Sequence, residues 1–273
     1  MNARNAFLDI AYQTREATCL ETHWHRCQIA FEELGIDGIG YGIIPFRSEV
    51  FLQGSSNAMM FRHSYPKGWA DDTGPQRLLD DDVTIPLLAS GRDDLIWVDT
   101  EELLDQADIP AQERKRFVVQ NEIDRAYDMN QGVTIALDID QINGVTSGMG
   151  LRNSSMTETE FSAYWSTHQH HLKAICSVLD TGIRKDHLPS YVGLTTTERD
   201  CLSLAASGRQ FAEIEYLMRL SEDQVKKTFT RCRKKLQAKT RDHAVAKALV
   251  LGFDQPMIYD TAMSAAIRDV RSC

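Results

Sequence analysis

Leu194–Phe253 reads LTTTERDCLSLAASGRQFAEIEYLMRLSEDQVKKTFTRCRKKLQAKTRDHAVAKALVLGF, and its punctuation decides the architecture of the C-terminal part of the chain. Thr195 and Glu198 stand three residues apart ahead of an apolar run, the spacing of a capping box that satisfies orphan N–H groups at a helix start. The helix so begun is amphipathic through Leu202 and Ala205–Ala206 and stops at Gly208. Phe211–Met218 is a second, short helix expected to bury Ile214 and Leu217. Ser221 and Gln224 repeat the capping box, with Glu222 and Asp223 placed at the positive end of the helix dipole. The third helix, Val225–Leu236, puts Val225, Phe229, Cys232 and Leu236 on one face and Lys226, Lys227, Arg231, Arg233, Lys234 and Lys235 on the others. A fourth, Asp242–Leu251, ends at Gly252.

Charge gives this helical module a function. The whole chain carries −9, but residues 194–254 hold 12 Lys and Arg against 8 Asp and Glu, so the module is +4 and the remainder −13. A run of lysine and arginine is most often a solvated helix face. Here a short helix, a brief turn and a basic helix follow one another, the arrangement that lays one helix in the major groove of duplex DNA while others brace it on phosphates.

The segment closely resembles the DNA-binding domain of the LuxR family of bacterial regulators. Leu194, Thr195, Glu198, Leu202, Ala206, Gly208, Glu213 and Ile214 meet the first half of the family pattern. Ser221, Val225, Lys226, Lys234-Lys235-Leu236, Ala244 and Ala248 meet the second. The resemblance implies that Lys226 and Thr230 face base edges and that Lys227, Arg231 and Lys234 meet phosphates. Glu198, Leu202 and Gly208 are the structural positions of the helix-turn-helix. Arg219 stands where the family usually has Gly, Glu215 where it has Ala, and Gln224 where it has Thr.

Upstream of this module the pattern changes. Apolar residues recur at helical spacing in Phe7–Gln13 and Thr22–Leu34, with Gly35 a C′ residue. Ile36–Phe46 suits a buried strand, and further strands are expected at Val50–Gln53, Met59–His63 and Leu95–Val98. Tyr65–Asp82 reads as loop. Helices open at Thr100 and span Pro110–Tyr127. Gly132–Leu137 and Val145–Leu151 flank the turn former Asn143-Gly144 as a hairpin, and a long helix from Thr157 to Leu179 follows. The N-terminal part is therefore expected to be α+β, an α-β-α sandwich around an antiparallel sheet of about five strands. Asp180–Gly193, with its Gly, Pro and charges, reads as a linker. The resulting division is 1–179, a linker at 180–193, the helical module at 194–254 and an extension at 255–273, where Met257–Val270 has the pattern of one more amphipathic helix.

The same family resemblance extends to this part. A motif W-x3-Y-x8-D-P-x13-W lines the acyl-homoserine lactone pocket of the quorum-sensing branch, and Trp69, Asp82 and Trp97 fall at its spacings. Thr73 stands at its tyrosine, and Val83 at its proline. Tyr65 matches a tyrosine that often precedes the first Trp, Gly132 matches a later glycine, and Gly150 falls near a usual Thr or Ser. An indole N–H only donates and a carboxylate accepts. Trp69 is thus expected to meet a lactone carbonyl, Asp82 an amide N–H and Tyr65 an amide carbonyl, with Trp97 walling the pocket. Loss of a ring at Thr73 and of a hydroxyl at Gly150 implies an altered ligand, or none.

No receiver-domain phosphoacceptor pattern, Gly-rich phosphate loop, GxSxG elbow or HExxH occurs, so neither enzyme chemistry nor a cofactor is expected. His168, His170 and His171 lack an evident carboxylate or cysteine to complete a metal site. The start has no signal-like apolar core, no stretch reaches the ~20 apolar residues of a membrane span, and the six cysteines form no CxxC pair. The chain is expected to be cytoplasmic, and a homodimer, since two half-sites need two recognition helices. A degenerate member that antagonises another regulator by pairing with it is the alternative that Glu215 and Arg219 raise.

Overall fold

Glycine alternates with large side chains in GIGYGII, and this strand organises the first of two compact units, Met1–Asp180 and Thr181–Cys273. The computed structural model describes residues 19–44, 60–73, 81–89, 91–97, 100–106, 109–139 and 146–253. The expected helix Phe7–Gln13, strand Val50–Gln53, turn at Asn143-Gly144 and C-terminal helix lie outside them.

Five strands, β1 (Gly38–Ile44), β2 (Met60–His63), β3 (Asp94–Ile96), β4 (Gly132–Ile139) and β5 (Thr146–Arg152), form an antiparallel sheet in the order β2-β1-β5-β4-β3. Successive side chains of a strand point to opposite faces. One face therefore carries the cross-strand rows Ile39–Leu151–Val133 and Tyr41–Met149–Ile135, all fully buried. The helices α1 (Leu20–Glu33) and α6 (Glu158–Gly182) cover it, and the Tyr41 hydroxyl donates to Asp180 of α6 at 2.7 Å. On the other face stand α2 (Trp69–Thr73), α3 (Thr84–Ala89), α4 (Thr100–Gln106) and α5 (Ala111–Ala126). Val83, Leu87, Leu88, Leu95, Leu103, Leu104 and Phe117 form a second apolar core that ties α3, α4 and α5 to β3. The expected sandwich is thus present. The stretch expected as loop after Tyr65 contains α2, a single helical turn too short to show a periodicity.

The segment expected to be a linker is helical almost throughout. After α6 comes a π-helical turn at Ile183–His187, then α7 (Leu188–Tyr191), and Gly193 closes the run at a φ of +75°. Ile183 and Leu188 are buried, and Pro189 sits in a first helical turn, where its missing N–H costs nothing. Gly and Pro content alone did not foretell this helical run.

The second unit holds α8 (Thr196–Ala206), α9 (Phe211–Met218), α10 (Glu222–Lys235) and α11 (Arg241–Val250). Both expected capping boxes are formed, at Thr195/Glu198 and Ser221/Gln224, and a third stands at Gln210/Glu213. Val225, Phe229, Cys232 and Leu236 are buried together as expected, and Phe229 stacks on Phe211 at 5.4 Å. Leu217 differs: it is 46% exposed. In a helix of two turns the inward stripe runs Phe211, Ile214, Met218, and Leu217 lies one step outside it. No helix among the described residues is long and apolar enough to cross a membrane.

Arg219 ends α9 in the left-handed conformation (φ 53°, ψ 42°), and the following N–H of Leu220 donates to the Glu215 carbonyl at 3.1 Å. This is the glycine-favouring helix stop, occupied by a side chain whose Cβ crowds the backbone. Arg219→Gly is expected to stabilise the helical unit by about 1 kcal/mol. That corresponds to a rise of about 4–8 °C in its thermal midpoint by circular dichroism. An unchanged or lower midpoint would contradict the strain at this turn.

Candidate functional site

The face of the sheet opposite the aliphatic core is nearly bare. Register sets Gly40 opposite Gly150 and Gly42 opposite Gly148, with Thr134 and Ala136 of β4 on the far side of β5. Tyr65 uses the space: a Cβ on Gly40 would lie 2.5 Å from its hydroxyl and 2.8 Å from Cζ, and one on Gly150 would collide with the hydroxyl. Trp97 lies on Gly132 in the same way, and its indole N–H donates to the Thr134 hydroxyl at 2.7 Å. Three aromatic rings enclose the space above: Tyr65 meets Trp69 at 5.1 Å and Trp97 at 6.3 Å, both edge-on. His63 stacks on Tyr65 from behind at 5.4 Å.

Between these rings and the second core lies a cavity of about 150 Å³, walled also by Phe61, Val83, Leu88, Leu103 and Phe117. Two carboxylates open into it. One oxygen of Asp82 accepts from the Thr84 N–H (2.8 Å) and hydroxyl (2.7 Å), which caps α3; its other oxygen has no partner among the described residues. One oxygen of Asp124 accepts from the Trp69 indole (2.8 Å) and the Gln120 amide (2.9 Å). Burial pushes the Asp124 carboxyl up to about 6 against those two bonds, with Asp82 adding to the rise. Burial likewise raises Asp82, opposed by Thr84. The Tyr65 phenol is pushed up by burial and by both carboxylates, and its hydroxyl has no partner among the described residues.

The sequence-expected residues divide into two groups. Tyr65, Trp69, Asp82, Trp97 and Gly150 all line the cavity. Thr73 and Gly132 do not: Thr73 is buried behind the wall, where its hydroxyl accepts from Gln120 at 3.1 Å, and Gly132 lies beneath Trp97. The Trp69 indole N–H, expected to meet a ligand carbonyl, is engaged by Asp124. Asp124, Gln120 and Asn121 escaped the sequence reading. A signal existed, because Phe117, Gln120, Asn121 and Asp124 recur at i, i+3, i+4 and i+7, a single helix face that is largely polar yet lines the cavity.

In the second unit the basic helix α10 is laced with acids. Lys226 pairs with Glu222 at 2.8 Å and Lys227 with Asp223 at 2.7 Å, both exposed i,i+4 pairs of the kind that contribute little. Arg231 and Lys235 reach the fully buried Glu198 of α8 at 3.1 and 2.6 Å. Burial opposes the charge of Glu198, but Lys235, Thr195 and Arg231 outweigh it and hold the carboxyl below its usual value. Thr230 donates back to the Lys226 carbonyl at 3.0 Å. Lys234 is exposed. Leu202 is buried in the core of the unit, and Gly208 ends α8 at a φ of +86°.

No protein-family model and no curated protein sequence matches the chain. Solved structures do. SdiA in complex with octanoyl-rac-glycerol matches at a TM-score of 0.52 and 16% identity, over 93% of this chain and 98% of that one. Escherichia coli SdiA in a second crystal form matches at 0.50 and 16%, over 91% and 98%. The fold of an α+β domain followed by a helical domain is therefore shared with SdiA along nearly the whole of both chains, and it is the fold that the LuxR resemblance implied.

Two outcomes follow from the cavity. Gly150→Ala is expected to destabilise the first unit by about 1–3 kcal/mol, because the rings of His63, Trp69 and Trp97 hold Tyr65 in place. Tyr65→Phe in the same chain removes the colliding atom and should restore most of the loss in urea unfolding followed by tryptophan fluorescence; additive losses would refute the contact. For Asp124, the native chain keeps a proton up to about pH 6 that the unfolded chain releases near 3.8. Stability is therefore lost as pH rises through that window. Asp124→Asn should gain on the parent chain by about 1–3 kcal/mol between pH 4.5 and 7.5; a difference that does not change with pH would contradict the buried carboxylate.

Proposed function

We propose that this chain is a transcription regulator of the LuxR quorum-sensing type, in which a small molecule held in the cavity of the first unit controls DNA binding by the second. The observation that carries this reading is the cavity itself. It is an apolar and aromatic enclosure with a few converging polar groups, and its Asp82 carboxylate and Tyr65 hydroxyl have hydrogen-bonding capacity to spare. A ligand that binds only the ordered unit stabilises it by mass action and shifts its conformational equilibrium. The known complex of SdiA with octanoyl-rac-glycerol supports an amphiphilic ligand of that kind, acyl-homoserine lactones among them. The residues assigned to the ligand are Tyr65, Trp69, Asp82, Trp97 and Gly150, with Asp124 added.

DNA contact is assigned to α10. It presents Lys226 and Thr230 to base edges, while Lys227, Arg231 and Lys234 meet phosphates. Two copies are needed to read two half-sites, so the working form is a cytoplasmic homodimer.

Duplex binding measured by fluorescence anisotropy across a salt series tests the reading. The logarithm of affinity should fall steeply with the logarithm of salt, and Lys227→Ala with Lys234→Ala should lower the slope by about 2. Absence of binding at 50 mM salt, with and without ligand, would refute it. A second reading, an antagonist that pairs with another regulator, is favoured by one observation: Lys226, Lys227 and Arg231 are all paired with acids of their own unit. An antagonist binds no duplex alone and keeps a partner regulator off its operator.

A further inference from the structure

The charge balance of the cavity points to the chemistry of its ligand. Among the described residues that line it are three aspartates and no lysine, arginine or histidine. Asp81 is paired outward with Arg116 at 3.5 Å. Asp82 and Asp124 have no cation partner among the described residues; both act on the Tyr65 phenol, and Asp82 acts on Asp124. The nearby bases are turned to other partners. Arg152 is held by Asp37 at 2.9 Å and by the carbonyls of Asp128 and Tyr127. His63 accepts from the Tyr65 N–H, and burial lowers its tendency to take a proton.

An acyl-homoserine lactone brings a single amide N–H for a carboxylate; its other polar atoms are acceptors, and the indole N–H that would receive one is already bonded to Asp124. Burying ionised carboxylates is costly unless they meet a positive partner. The wall also includes the rings of Tyr65, Trp69 and Trp97, and aromatic faces attract cations. Two carboxylates and three aromatic rings on one cavity wall offer what a protonated amine can bind.

We propose, resting on the small-molecule reading above, that the cavity binds a ligand with a protonated amine as its head group and a short apolar tail, the ammonium lying between Asp82 and Asp124 within the aromatic enclosure. A cavity of about 150 Å³ favours a compact occupant, since drug-sized ligands fill about 300 Å³ or more.

Isothermal titration of the full-length chain at pH 7.5 with three compounds of one tail tests this: N-(2-aminoethyl)hexanamide, N-(2-hydroxyethyl)hexanamide and N-hexanoyl-homoserine lactone. The amine is expected to bind at least tenfold more tightly than either neutral compound. Asp82→Asn and Asp124→Asn should each narrow that preference several-fold; both keep an amide oxygen for the Thr84 or Trp69 bond, so the wall remains intact. Equal or tighter binding of the hydroxyl compound or the lactone overturns the proposal and leaves the small-molecule reading standing. A preference unmoved by either substitution overturns it too. If none of the three binds, both the proposal and the small-molecule reading fall.

Discussion

The first unit depends on the absence of side chains across three neighbouring strands. Where Gly40 faces Gly150 and Gly42 faces Gly148, the sheet presents backbone in place of a layer of Cβ atoms. Tyr65 and Trp97 therefore rest directly on the peptide planes, and their rings stand as walls above a floor lowered by about one methyl group. The shape of the cavity in this unit follows from that floor. The rings converge because they share it, the carboxylates of α3 and α5 face the space it leaves, and the second apolar core closes the roof. A side chain at any of these positions would fill the cavity from below. The cost is a sheet with little packing on that face, offset by the aliphatic rows and the two long helices on the other.

The two units dispose of buried carboxylates in opposite ways. Glu198 is fully buried and charged, and two cations of α10 reach it, so it fixes the basic helix against α8. Its charge is satisfied by the fold, and its work is positional. Asp82 and Asp124 are held by neutral donors alone, and their pKa values rise accordingly. Their desolvation is met by hydrogen bonds without a compensating charge, the condition that the proposed ligand reading draws on. The same comparison explains why α10 is less available than its composition implies. Four of its cations are drawn toward acids of its own unit, so that in the proposed complex DNA would compete with Glu222 and Asp223 for Lys226 and Lys227.

Much of this was legible in order along the chain. Capping boxes at Thr195 and Ser221 marked helix starts because they are local: three residues suffice to form them, and they form whatever surrounds them. The buried stripe of α10 and the alternation in β1 were legible for the same reason, since periodicity follows from the geometry of one element. In Asp180–Gly193 the Gly, Pro and charges are local signals, whereas the helical run through it and the burial of Ile183 and Leu188 are not. Leu217 misled because a helix of two turns has too few positions to define the centre of its stripe.

The sequence by itself thus determined the elements, their amphipathic faces and the spacing that brings Trp69, Asp82 and Trp97 within reach of one pocket. Only the tertiary structure decided which partner each polar atom found. The Trp69 indole and Asp124 lie 55 residues apart, and Arg231 and Glu198 lie 33 apart. No periodicity links such pairs, because they meet only when separate elements dock. Whether the indole donates to a carboxylate, and whether an arginine reaches a buried glutamate, is fixed by register and packing across the fold.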